Sequence, residues 1–158
     1  MDIPSSGYST QRRHDAKTQR GKIFERKKKV NENQISNVVI GCAIEVHKTL
    51  GGPGLLESVY EEALAWELEQ KGLTVKRQLE LPIRYKGILL SSPLRLDLLI
   101  EDKVIVECKA VREYNDIFEV HALTYLRMTD LRLGLVMNFG ERVLKLGVHR
   151  VVNNLKES

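Results

Sequence analysis

Asp97, Glu107 and Lys109 are charged residues set among apolar ones in the stretch RLDLLIEDKVIVECKA, Arg95 to Ala110. Burying or half-burying an unpaired charge is costly, so three of them inside an apparent hairpin ask for a reason. Side chains alternate along a strand, which puts Glu107 and Lys109 on one face and Val106 and Cys108 on the other. With a three-residue loop of Glu101, Asp102 and Lys103, Ile100 pairs with Val104 and Asp97 stands opposite Glu107. Directly paired residues have Cβ atoms about 4.5–5.5 Å apart. Two carboxylates held so close repel, and a cation between them turns repulsion into attraction. One or two carboxylates, completed by water and substrate phosphate, are what Mg²⁺ prefers. Lys109 can then orient or help deprotonate a water held there and offset charge developing on a phosphate. A two-residue loop instead sets Asp97 opposite Val106, on the wrong face for this chemistry. The competing reading is a solvated strand face paired in ordinary salt bridges, since Asp followed by Glu-x-Lys is a weak pattern by itself. The neighbours Leu98, Leu99, Val104 and Ile105 are apolar on both faces, which favours buried strands.

The flanking sequence supplies elements to position this hairpin. QISNVVIGCAIEVHKTL places Ile35, Val38, Val39, Cys42, Ile44, Val46 and Leu50 roughly at helical spacing, and GGPG (Gly51 to Gly54) ends the helix. LLESVYEEALAWELEQKG restarts the helical period through Leu56, Val59, Tyr60, Ala63, Leu64 and Leu68. Gly72 sits where a C-terminal glycine belongs. The period then shortens to two through Val75, Arg77, Leu79 and Leu81, with Pro82 marking an edge or bulge. ILLSSPLRLDLLI and KVIVECKAV read as two further strands. DIFEVHALTYLRMTD reads as a helix with Asp116 and Glu119 in its first turn. LRLGLVMNFG and VLKLGVHRVV close the chain as β segments. The order α-α-β-β-β-α-β-β predicts an α/β or α+β domain with a mixed sheet flanked by helices.

The chain has 158 residues, enough for one domain with a sizeable core. No apolar run approaches the roughly 20 residues of a membrane span, and no apolar segment follows the N-terminal charges, so neither a membrane association nor a secretory signal is expected. Cys42 and Cys108 read as reduced thiols of a cytoplasmic protein rather than a disulfide framework or a zinc site. The net charge of +4 is unevenly spread: residues 1–29 hold nine Lys or Arg against Asp2, Asp15 and Glu25, a net +6, leaving −2 for the rest. Residues 1–32 are therefore read as a basic tail, mostly disordered, and residues 33–158 as the folded domain. The tail is either a solubilising extension or overlong translated start, or an arm for nucleic-acid phosphates; its ERKKK end also fits a nuclear address on pattern alone.

Asp97 with ECK after a hairpin resembles the core of the PD-(D/E)xK nuclease superfamily. GLLESVY, Gly54 to Tyr60, resembles the signature of the GxxExxY protein family, a bacterial and archaeal branch of it. The likeness runs through EVHKTLGGPGLLESVYEEAL, LDLLIEDKVIVECKAV and YLRMTDLRLGLVMNFG, roughly Asn33 to Val152. It implies a restriction-endonuclease-like α/β core and a Mg²⁺- or Mn²⁺-dependent nuclease acting on nucleic acid, DNA first. By position, Asp97, Glu107 and Lys109 correspond to the catalytic Asp, Glu and Lys, with Asp97 and Glu107 as metal ligands. Glu57 corresponds to the acid on the preceding helix that completes the metal sphere. From spacing alone Glu57 is a first-turn glutamate stabilising a helix N-terminus, sharing a face with Glu61 beside Tyr60.

Two positions depart from the pattern. Leu96 stands before Asp97 where the superfamily pattern has proline, a departure that many branches tolerate because that residue shapes only the turn into the site. His121, four before Tyr125, stands where the family usually has glutamine. A neutral imidazole can replace the amide in hydrogen bonding to water or phosphate, but histidine titrates near physiological pH. The alternative for His121 is an ordinary helix-face residue. His47 reads as structural or capping, and Tyr60 and Tyr125 as packing residues. The leading function is thus a metal-dependent phosphodiesterase. The alternatives are a catalytically inactive nucleic-acid-binding or accessory protein, or an interaction module working through its tail; fold does not decide among them. The body's slight negative charge leaves a homodimer, a protein partner or the tail to supply further phosphate contacts.

Overall fold

The structure is a computed structural model that describes residues 29–157. The expectation of a disordered tail falls almost entirely outside the described residues. The chain divides after Asn31, and the unit from Glu32 onward carries all the elements that follow.

Helix α1 spans Glu32–Thr49 and buries Ile35, Val39, Cys42 and Val46, a stripe at spacings of four and three. Helix α2, Glu57–Gln70, buries Tyr60, Leu64 and Leu68 in the same way. It stops at Gly72, whose φ of 81° is the left-handed conformation that glycine adopts without a Cβ penalty. There the Gly72 and Leu73 amides donate to Glu69 O and Leu68 O at 2.9 and 3.2 Å.

The main sheet has five strands, β1 (Val75–Leu81), β4 (Leu94–Ile100), β5 (Val104–Lys109), β6 (Leu133–Asn138) and β7 (Val148–Val152), in the order β1-β4-β5-β6-β7. Only β5 and β6 run parallel. Helix α3, Ile117–Thr129, connects them as a crossover. Leu99, Ile105, Val136 and Val151 form one core with Ala122 and Leu126 of α3. The paired row Leu98, Val106 and Leu135 lies on the alternate face, where α1 and α2 pack against β5. The mixed sheet flanked by helices is the expected architecture.

Two segments differ from the sequence reading. The strand expected from Ile88 to Ile100 is split, because β2 (Arg84–Tyr85) and β3 (Ile88–Leu89) form a separate hairpin. Lys86 and Gly87, with φ of 47° and 81°, make its tight turn. In VLKLG, Leu144–Gly147 is a 3₁₀ turn: Leu144 and Gly147, three apart, face inward while Leu146 is exposed.

One irregularity matters for the site. Leu96 and Leu99 belong to the same core although three residues apart, so strand alternation breaks between them, at Asp97 and Leu98. Opposite, Gln78 is skipped in the β1–β4 pairing and has a φ of 49°.

Candidate active site

The β4–β5 turn fixes the geometry. Glu101 and Asp102 take left-handed φ of 52° and 54°, and Lys103 N donates to Ile100 O at 2.9 Å. Ile100 pairs with Val104, so the loop has the three residues expected. Backbone pairing runs to Leu98 and Val106 and then ceases. In its place, Asp97 N donates to Glu107 Oε1 at 3.2 Å and Cys108 N donates to Asp97 Oδ2 at 2.9 Å. Asp97 and Glu107 thus face each other as the loop length predicts, each carboxylate held by the backbone of the opposite strand.

Electrostatics show how close this corner is to its limit. Glu107 is only 7% exposed. Burial and the neighbouring Asp97 push its pKa up to about 8, against the Asp97 N–H and the Lys109 ammonium. Glu57, the first residue of α2, is half-buried. Burial raises its pKa, Lys109 opposes, Asp97 and Glu61 add to the rise, and a hydrogen bond from the Ala110 backbone opposes it. Asp97 and Lys109 therefore act on both Glu57 and Glu107. The Cys108 thiol is raised well above its usual value, mainly by burial and then by Asp97, and stays protonated.

Lys109 Nζ lies 4.7 Å from the centroid of the Phe118 ring of α3. The chain beyond it is clamped by Asn138, which is fully buried. Asn138 Oδ1 accepts from Val111 N and Nδ2 donates to Val111 O, both at 3.0 Å, as another strand's peptide would. Phe139 N donates to Lys109 O at 2.7 Å. A Cβ at Gly140 would overlap the Val111 backbone, so this approach needs glycine.

Gln78 and Asn138 were not singled out from sequence. Gln78 Nε2 donates to Glu61 Oε2 at 2.8 Å and lies 3.5 Å from Asp97 Oδ1, linking α2 to the acidic pair. Glu61 Oε1 faces Arg77 Nε at 3.5 Å, an ion pair without hydrogen-bond geometry. No sequence signal marks Gln78, because its role comes from a left-handed φ. Asn138 had one signal, a polar residue ending an apolar strand just before Phe-Gly.

The remaining candidates fall in different places. Tyr60 is fully buried, stacks on Phe139 at 4.7 Å, donates to Gly52 O at 2.7 Å and accepts from Leu55 N at 3.1 Å. It packs and also pins the loop that leads to Glu57. His47 Nε2 is bonded to Glu141 O at 2.8 Å, a structural role as expected. His121 is exposed on α3 and is not among the groups that shift Glu107. Tyr125 one turn later is half-buried, and burial, Glu107 and Asp97 raise its hydroxyl pKa, so it is Tyr125 that faces the acids.

Among the described residues, no group of three or more His, Cys, Asp or Glu forms a ready-made metal cage. The Asp97–Glu107 pair, with Glu57 nearby, is an oxygen-only donor set. It fits a hard divalent cation that keeps water in its other positions, and such a charge offsets the burial and the Asp97 repulsion that raise the Glu107 pKa.

A family model of the PD-(D/E)XK nuclease superfamily matches residues 33–151, and the chain belongs to that superfamily. Membership points to nuclease activity on nucleic acid, and these nucleases generally use divalent metal ions. No curated protein and no solved structure matches the chain significantly. Among the described residues no helix is long and apolar enough to cross a membrane.

Proposed function

We infer that the chain is a Mg²⁺- or Mn²⁺-dependent nuclease of the GxxExxY branch that hydrolyses phosphodiester bonds in DNA. The observation that carries this reading is the reciprocal bonding of Asp97 and Glu107, which fixes two repelling carboxylates where the strands part. A divalent cation bound there supplies Lewis-acid activation of phosphate and water. Asp97 and Glu107 hold it, with Glu57 as a third ligand or water orienter. Lys109, steered by the Phe118 ring and the Asn138 clamp, moves a proton from water or offsets charge on the phosphate. The branch assignment is supported by what its motif does here: Tyr60 ties down the loop through Gly52 and Leu55, so Glu57 starts its helix in a fixed place. Buried, unpaired Cys42 and Cys108 support a reducing, cytoplasmic setting. The runner-up, an inactive nucleic-acid-binding or accessory protein, draws on the exposed His121 in the glutamine position.

The test is purified protein with Mg²⁺ or Mn²⁺ and a panel of single- and double-stranded DNA and RNA. The expected result is DNA cleavage that Asp97→Ala abolishes together with the metal-dependent rise in melting temperature. Lys109→Ala should keep that rise yet cut cleavage at least about 100-fold. Metal binding without cleavage of any substrate selects the runner-up.

A further inference from the structure

We propose that a cavity of about 490 Å³ at the end of α1 is a phosphate subsite, gripping the nucleic-acid backbone that flanks the bond to be cut. It lies between the end of α1, the Gly51–Gly52 turn and the segment after β6, and Lys48, Arg142 and Lys145 line it. No Asp or Glu shares that lining. The three cations are exposed, and among the described residues none is ion-paired to a carboxylate. Lys76, Arg77 and Arg95, by contrast, each have an acidic partner. Three unneutralised cations converging on one concavity repel one another, and an anion seated among them reverses that energy. This is local: the sequence from residue 30 onward carries a net −2, so the cluster is not a sample of a generally basic surface.

Position connects the cavity to the chemistry. Gly52, in its wall, accepts the Tyr60 hydroxyl, and Tyr60 lies one turn beyond Glu57 on α2. Tyr60 stacks on Phe139, which lies between Asn138 and the arginine-bearing segment. His47, which lines the cavity, lies 6.4 Å from the Phe139 ring, so the His47–Phe139–Tyr60 ring group runs from the cavity wall to the first turn of α2. Exposed Ile44 and Val143 also line the cavity, which suits a sugar–phosphate chain better than a small hydrated anion. Phosphate contacts position nucleic acid without reading sequence. The inference rests on the nuclease reading for its substrate class.

The experiment uses the full chain carrying Lys109→Ala, with Mg²⁺, and labelled 20-nucleotide single- and double-stranded DNA read by fluorescence anisotropy. Adding Lys48→Gln, Arg142→Gln and Lys145→Gln should weaken binding at least about tenfold at physiological salt. It should also flatten the slope of log affinity against log salt by about one for each phosphate that is no longer neutralised. A control that removes equal charge elsewhere, Lys71→Gln, Arg84→Gln and Lys86→Gln, should change both far less. Equal effects of the two triples, an unchanged slope, or no DNA binding by the parent each overturn the subsite. The three single variants replace the triple if its melting temperature falls. Cleavage by the unmodified chain is scored separately, so the nuclease reading can stand while the subsite falls, and the reverse.

Discussion

The two ends of the β4–β5 hairpin are built from the same strands by opposite rules. At the turn, Leu98, Leu99 and Ile100 pair in register with Val106, Ile105 and Val104, and all six are buried. At the open end, the ladder gives way to two bonds between side chain and backbone, and the residues that make them are acids. Complete backbone pairing with apolar cover stabilises the first end. The second holds two charges in a place that, without a cation, favours protonation of one of them. One end supports the fold and the other is stressed by it, as expected where geometry serves chemistry.

The largest effect that could break this contrast is Leu98→Ala. It should cost about 2–5 kcal/mol in urea unfolding and leave cleavage per folded molecule unchanged. Glu107→Gln should do the opposite, abolishing cleavage while leaving the metal-free protein as stable or more so. Equal destabilisation by the two would erase the distinction between the ends.

A smaller effect sharpens it through pH. Glu107 titrates near 8 in the native protein and near about 4.3 in an unfolded chain. Between those values the native state keeps a proton that the unfolded state has lost, so stability falls as pH rises. Glu57, shifted in the same direction, adds to the trend. Melting temperatures of the metal-free protein should decline across that window, Glu107→Gln should remove much of the decline, and saturating Mg²⁺ should oppose it by replacing the proton. A flat profile in metal-free wild type would remove the strain from the open end.

The smallest effect belongs to His121→Gln. With the imidazole exposed and outside the groups acting on Glu107, the wild-type and variant cleavage profiles should nearly superimpose between about pH 5.5 and 8. Diverging profiles would mean that bound nucleic acid brings His121 into the site.

Much of this hairpin was legible beforehand because its logic is local. Alternation and a three-residue loop are enough to set Asp97 against Glu107, and helical spacing is enough to find the stripes of α1 and α2. The β2–β3 hairpin escaped because ILLSSPLRLDLLI read as one strand, although Ser91, Ser92 and Pro93 interrupt it before Leu94. Gln78 escaped because nothing in a glutamine announces a positive φ. The Asn138 clamp joins Val111 across 27 residues, and no local pattern encodes such a meeting. The helical approach of Tyr125 rather than His121 depends on how α3 rolls against β5 and β6, which periodicity does not fix.

The same clamp also has a consequence in time. The bond from Asp97 N to Glu107 spans ten residues and closes with a short hairpin, whereas the Asn138–Val111 bonds require α3 to form and β6 to dock in parallel. Contacts distant in sequence close later than near ones. The acids therefore come together first and the lysine's strand end is secured last. Pulsed hydrogen exchange during refolding should find the Cys108 amide, bonded to Asp97, protected before the Val111 amide, bonded to Asn138. A chain caught midway would carry the charge of the site before its means of using it.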